Sequence, residues 1–230
     1  MRNIFLLFTL LLIGCAPKEV VPTPLSGETD MPVVRYLALG DSYTIGESVP
    51  EADRWPNQLA TLLEAQGIHM DVTIIAKTGW TTSELWQGVQ EREIHPPYDL
   101  VSLLIGVNNQ YRGYDTDQYR EEFRLLLNKA IDYAGGNADH VFVLSIPDWS
   151  VTPFADGRDA AQIAKDIDLF NAINREESEK ADVHYVDITP FSREAVSDPT
   201  LIAQDGLHPS AKMYAEWANL ALPEILGALR

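Results

Sequence analysis

From residue 34 onward, short apolar runs alternate with longer segments whose apolar residues recur at helical spacing. Five runs read as strands: Arg35 to Leu39, Val72 to Ala76, Leu100 to Ile105, Val141 to Ile146 and Val183 to Ile188. The third and fourth are nearly unbroken apolar stretches, as strands covered on both faces require. Between them, Pro56 near one end and Gly67 beyond the other bracket a helix carrying Leu59, Leu62 and Leu63. Tyr119, Phe123, Leu126, Leu127, Ala130 and Ile131 follow a 3.6-residue period, as do Ile163, Ala164, Ile167 and Phe170. A last helix holds Met213, Tyr214, Trp217 and Ala218 on one stripe, and Pro223 is expected to kink or end it. This alternation predicts an α/β domain with a doubly wound parallel sheet and right-handed crossovers. In such sheets ligands sit at the carboxyl ends of the strands, so those ends hold the candidate chemistry.

The first 33 residues break the pattern. Met1-Arg2-Asn3 is a short basic start, and the apolar stretch from Ile4 to Ile13 is interrupted only by Thr9. It is too short to span a bilayer but suits the core of a signal peptide. It ends in Leu12-Ile13-Gly14-Cys15, which resembles the lipobox of bacterial lipoproteins. That resemblance implies lipidation of Cys15 and loss of residues 1–14. An ordinary secretory signal ending near a cysteine is the other reading; the fact that Cys15 is the chain's only cysteine favours the lipobox. Residues 16–33 carry Pro17, Pro22, Pro24 and Pro32 among small and polar residues and read as a tether, or as an arm lying on the domain. The expected organisation is a signal peptide at 1–14, a lipidated cysteine and tether at 15–33, and one catalytic domain at 34–230. The expected location is the bacterial cell envelope, with a lipid anchor to a membrane on its periplasmic or outer side.

Composition narrows the function classes. The 230-residue chain has 34 Asp and Glu against 17 Lys and Arg, a formal charge of −17, which disfavours nucleic acid and other polyanions as partners. At 46% hydrophobic and 22% charged it is globular rather than disordered. A single cysteine excludes an internal disulfide and any multi-cysteine metal site.

Four blocks stand at the expected strand ends or before the last helix. Gly40-Asp41-Ser42 follows the first strand, on a turn that can point the serine hydroxyl into the cleft beside backbone N–H groups. Gly79, in Thr78-Gly79-Trp80, allows close backbone approach and can present its N–H. Asn108, in Gly106-Val107-Asn108-Asn109, can donate from its amide. His208 can take a proton from a serine hydroxyl, and Asp205, three residues earlier, can reach its Nδ1–H. Taken singly, each block also reads as a turn or helix cap. His69, His95, His140 and His184 read as surface or packing residues. The sequence has no G-x-S-x-G elbow, phosphate loop, dinucleotide fingerprint or H-E-x-x-H site.

In this order the four blocks resemble the GDSL/SGNH hydrolase family of serine esterases and lipases, over residues 35–222. The resemblance implies a three-layer α/β/α flavodoxin-like fold with a five-stranded parallel sheet. It implies Ser42 as nucleophile, His208 as base and Asp205 as the residue orienting it. The oxyanion donors it implies are the N–H of Ser42, the N–H of Gly79 and the amide of Asn108. Asn109 stands where the third block often has aspartate, a difference that bears on local packing. The implied reaction is carboxylic ester hydrolysis through an acyl-enzyme, on a small lipid, thioester or acylated-sugar substrate, with no cofactor and no metal. Trp80 and Trp149 are candidate substrate contacts, each equally readable as scaffold packing. Oligomeric state is not legible. A non-catalytic ligand-binding envelope lipoprotein on the same fold, or a structural envelope protein, remains the alternative. Neither needs a serine with its base, and the full set of five residues favours the hydrolase.

Overall fold

Backbone pairing sets five parallel strands in the order β2-β1-β3-β4-β5: β1 (Val33–Gly40), β2 (His69–Ala76), β3 (Leu100–Leu104), β4 (Val141–Leu144) and β5 (His184–Val186). The computed structural model describes residues 33–229, so the expected signal segment, Cys15 and the tether up to residue 32 lie outside the described residues. Val33, assigned to the tether from sequence, instead opens β1. The helices are α1 (Ser42–Ile45), α2 (Trp55–Glu64), α3 (Thr82–Gln90), α4 (Val107–Tyr111), α5 (Thr116–Tyr133), α6 (Ala160–Lys180), α7 (Thr189–Ser192) and α8 (Ala211–Ala228).

The chain steps from β1 to β2 in one direction and from β3 to β5 in the other. With right-handed crossovers this puts helices on both faces of the sheet. Accordingly α2 packs on α8, while α5 packs between α3 and α6. Strands β3 and β4 are buried along their whole length, as their apolar runs predict. The core between the layers includes Tyr36, Trp55, Tyr119, Phe123, Phe142, Tyr214 and Trp217, all fully buried.

The expected strands β4 and β5 stop two residues early because side chains replace the ladder there. Asn171 on α6 bonds both the N–H and the carbonyl of Ile146, and the Ser145 hydroxyl accepts the N–H groups of Ile188 and Thr189. Helix α8 also departs from expectation. It runs through Pro223 to Ala228, so the proline does not end it. The ring costs the Asn219 carbonyl its helical partner, but Ala221 and Ile225, on either side of it, are buried in the core and hold both halves of the helix there.

Register positions the site. Gly40 pairs with Ala76 of β2 and with Leu104 of β3, so the segments leaving β1, β2 and β3 begin at one level on the carboxyl edge. The strand order reverses at β1, and the crevice beside it, between the loops after β1 and β3, is the expected ligand position.

Candidate active site

Gly40 is required where β1 ends. A Cβ there would lie 2.1 Å from the Thr44 hydroxyl and 2.5 Å from the Leu104 carbonyl. The chain then turns into α1, with Asp41 as its cap. Its carboxylate accepts the Tyr43 N–H at 3.0 Å, and its carbonyl accepts the N–H groups of Thr44 and Ile45. Ser42, the next residue, opens the helix and lines a cleft of about 150 Å³. Burial pushes the Asp41 carboxyl up to about 7, against the hydrogen bonds from Tyr43 and Asn108 that lower it.

Gly79, at φ +84°, lines the same cleft in a left-handed conformation that favours glycine. Asn108, on the first turn of α4, reaches it from the other side. Its amide donates to the Trp80 carbonyl at 3.0 Å and to the Asp41 carboxylate at 3.4 Å.

His208 closes the opposite wall, nine-tenths buried, with the Tyr43 ring 5.2 Å away between centroids. Its loop is clamped by backbone bonds from Ala203 N–H to the His208 carbonyl and from Ser210 N–H to the Leu201 carbonyl. The ring Nδ1 meets the Asp205 carboxylate at 2.5 Å. That carboxylate also accepts the backbone N–H groups of Leu207 and His208, each at 3.0 Å, and the Ser48 hydroxyl at 2.7 Å. Partial burial pulls the Asp205 carboxyl up, but these hydrogen bonds outweigh it and hold the group well below the usual carboxylate range. With Nδ1 tied to Asp205, Nε2 is the nitrogen left for proton exchange. Among the described residues no direct hydrogen bond joins Ser42 to His208; such bonds commonly tighten only with substrate in place.

The fold thus brings Ser42, Gly79, Asn108 and His208 to one cleft, with Asp205 behind the imidazole. Trp149 lines it too, while the Trp80 expectation needs correcting. The Trp80 ring lies on α3, where a Cβ at Gly88 would fall 2.2 Å from it, with the Arg92 guanidinium 5.4 Å from its centroid. A small residue at position 88 leaves a seat on the helix that the tryptophan fills, so Trp80 does not line the cleft.

Sequence reasoning missed several residues. Tyr111 and Leu207 complete the apolar wall together with Phe154, whose segment after the fourth strand the sequence already sets beside the cleft. Arg112 ties two blocks together: its backbone N–H bonds the Asn108 carbonyl at 3.1 Å, and its guanidinium donates to the Gly79 carbonyl at 2.6 Å and to Glu84 at 3.2 Å. Ser48, at φ +66°, holds Asp205 from a strained left-handed position. None of these carries a local motif. They are found only where separate loops meet.

The sequence model of the GDSL-like lipase/acylhydrolase family matches residues 38–216, a span that includes all five motif residues. The chain is 25% identical to an acetylxylan esterase of Geobacillus stearothermophilus over 215 residues, covering 83% of this chain and 93% of that protein. A crystal structure of an acetylxylan esterase from that organism superposes with a TM-score of 0.65 at 21% identity, covering 84% of this chain and 94% of the other. A G-D-S-L family lipolytic protein of Veillonella parvula superposes with a TM-score of 0.63 at 18% identity, covering 83% and 97%. With the family pattern spanning most of the domain on a matching α/β sheet, the chain belongs to the GDSL-like lipase/acylhydrolase family, a family of carboxylic ester hydrolases.

Proposed function

We propose that the protein is a serine ester hydrolase acting through an acyl-enzyme on small-molecule esters. His208 Nε2 takes the proton of the Ser42 hydroxyl as its oxygen attacks the ester carbonyl. Asp205 fixes the tautomer and stabilises the imidazolium. The oxyanion is met by the N–H groups of Ser42 and Gly79 and by the Asn108 amide, whose longer bond to Asp41 gives way. His208 then returns the proton to the leaving alcohol, and water releases the acyl group by the same steps.

One observation carries this reading: a serine and an imidazole share a cleft in which the imidazole is already locked to a carboxylate. A non-catalytic binding protein has no need of that lock. The acetylxylan esterase relative supports an acylated-sugar substrate.

An organophosphonate probe followed by peptide mass analysis is expected to label Ser42. Ser42→Ala should lose about 10⁴-fold or more in turnover of p-nitrophenyl acetate, and Asn108→Ala about 10²–10³-fold while remaining folded. Ser42→Ala activity within a few fold of the native chain would sink the nucleophile assignment. From the lipobox-like segment at Cys15 we also propose lipid anchoring in a bacterial envelope.

A further inference from the structure

Three aromatic side chains from two segments meet at the mouth of the cleft. Trp149 is buried, whereas Tyr111 is 46% and Phe154 39% exposed. Their ring centroids lie 5.5 to 6.0 Å apart, with Tyr111 and Phe154 each set edge-on to Trp149 and tilted against each other. The Arg158 guanidinium stands 5.4 Å from the Tyr111 centroid, 5.5 Å from Trp149 and 5.0 Å from Phe154, with one nitrogen 3.4 Å from the Tyr111 hydroxyl.

The cluster is held in place before any ligand arrives. The Trp149 indole N–H donates to Gln110 at 2.8 Å, and the preceding Asp148 is pinned by Arg193 at 2.8 Å and by the Ser192 hydroxyl at 2.9 Å. The Phe154 N–H bonds the Gly206 carbonyl at 2.9 Å, which couples the shelf to the loop carrying Asp205 and His208. Two partly exposed rings packed against the hydrogen-bonded Trp149 form one apolar shelf beside the cleft.

We propose that Tyr111, Phe154 and Arg158 form a subsite for the sugar ring of an O-acylated carbohydrate, receiving the alcohol half of the ester whose acyl half enters the cleft at Ser42. This rests on the ester-hydrolase reading above and names its substrate class. A pyranose offers an apolar face of C–H groups, which fits an aromatic surface, and a rim of hydroxyls, which fits guanidinium N–H donors and a phenol. A lipid chain needs continuous apolar surface, but here the Arg158 guanidinium interrupts the aromatic shelf.

The test compares two esters that share the acetyl group, a mono-O-acetylated methyl xylopyranoside and glycerol triacetate, on the full chain and on Tyr111→Ala, Phe154→Ala, Arg158→Ala and Tyr111→Phe. The native chain is expected to favour the pyranoside in kcat/KM by about ten-fold or more. Each alanine variant should lower the pyranoside-to-triacetate ratio several-fold, mainly through KM, and Tyr111→Phe should keep most of it. Circular dichroism confirms folding. A ratio unchanged in the Tyr111→Ala/Phe154→Ala double variant, or a native preference for the glycerol ester, overturns the subsite. If either occurs while the phosphonate still labels Ser42, the hydrolase reading survives; failure to label Ser42 in the folded native chain removes both.

Discussion

Asp41 is a buried carboxylate next to a nucleophile, and its environment gives it a measurable pH signature. Its ordinary value is 3.8 and burial raises it to about 7, so between these values the folded chain keeps a proton that the unfolded chain has released. Stability must therefore fall as pH rises through that window: the contribution is fully present below about pH 3.8 and lost above about pH 7. Asp41→Asn removes the titration. Its amide faces the Asn108 amide, donor against donor, which costs stability at every pH and leaves the slope untouched. Melting curves from pH 4 to pH 8 are expected to show the native chain losing ground to Asp41→Asn up to about pH 7 and running parallel above it; parallel curves throughout would refute the assignment. Asn109 shows how a departure from the family pattern is absorbed. The buried Asn109 side chain accepts the Thr82 N–H at 3.0 Å and donates to the Thr82 hydroxyl at 2.7 Å, while that hydroxyl donates to Glu122. A hydroxyl has one proton, already used on Glu122, so its other partner here must be a donor, and an ionised aspartate has none. The sequence shows Asn109 and Glu122; only the fold shows that they share Thr82.

At the scale of elements, legibility followed apolar periodicity. Helix α5 was readable because Tyr119, Phe123, Leu126, Leu127 and Ala130 are all buried on one stripe. Helix α6 was readable only in its first half. Its buried stripe continues as Asn171, Asn174, Glu177 and Ser178 around Ile173, held by hydrogen bonds, although the Asn174 amide nitrogen has no partner among the described residues. Helix α3 is short, its apolar face made by Leu85, Trp86 and Val89, and its start carries a further signal: Thr81 and Glu84 form a capping box there. The same Glu84 holds Arg112, so the capped end of α3, the loop of Gly79 and the end of α4 are joined through one guanidinium. Arg112→Met should therefore loosen the loop that presents the Gly79 N–H, while the backbone bond to Asn108 remains. We expect kcat for p-nitrophenyl acetate to fall by about ten-fold with KM changing less, since the lost interaction is realised in the transition state. Arg112→Lys should recover part of it. Equal activity in the methionine variant would show that the loops hold themselves.

At the scale of the whole molecule, the proposed lipid anchor at Cys15 concerns where the protein works rather than how. If Cys15 carries a lipid, Cys15→Ala should move the protein from the membrane fraction to the soluble fraction of an expressing bacterium while turnover per molecule stays the same. Retention in the membrane fraction would mean that something other than Cys15 holds it there. The sequence by itself determined the layered α/β class and the order of its strands along the chain. Its short motifs, in their order and through the family resemblance, also singled out Ser42, Gly79, Asn108, Asp205 and His208 as candidates, because periodicity and motifs are local properties that survive without coordinates. It did not determine which side chains share the cleft. Trp80 and Trp149 looked alike as residues flanking strand ends; one has a glycine seat on α3 and turns away, while the other is drawn to the mouth by Gln110. Tyr111, Phe154, Arg112 and Ser48 acquire their places from contacts between loops far apart in sequence. Such contacts depend on strand register and on the reversal of strand order at β1, which no local pattern encodes.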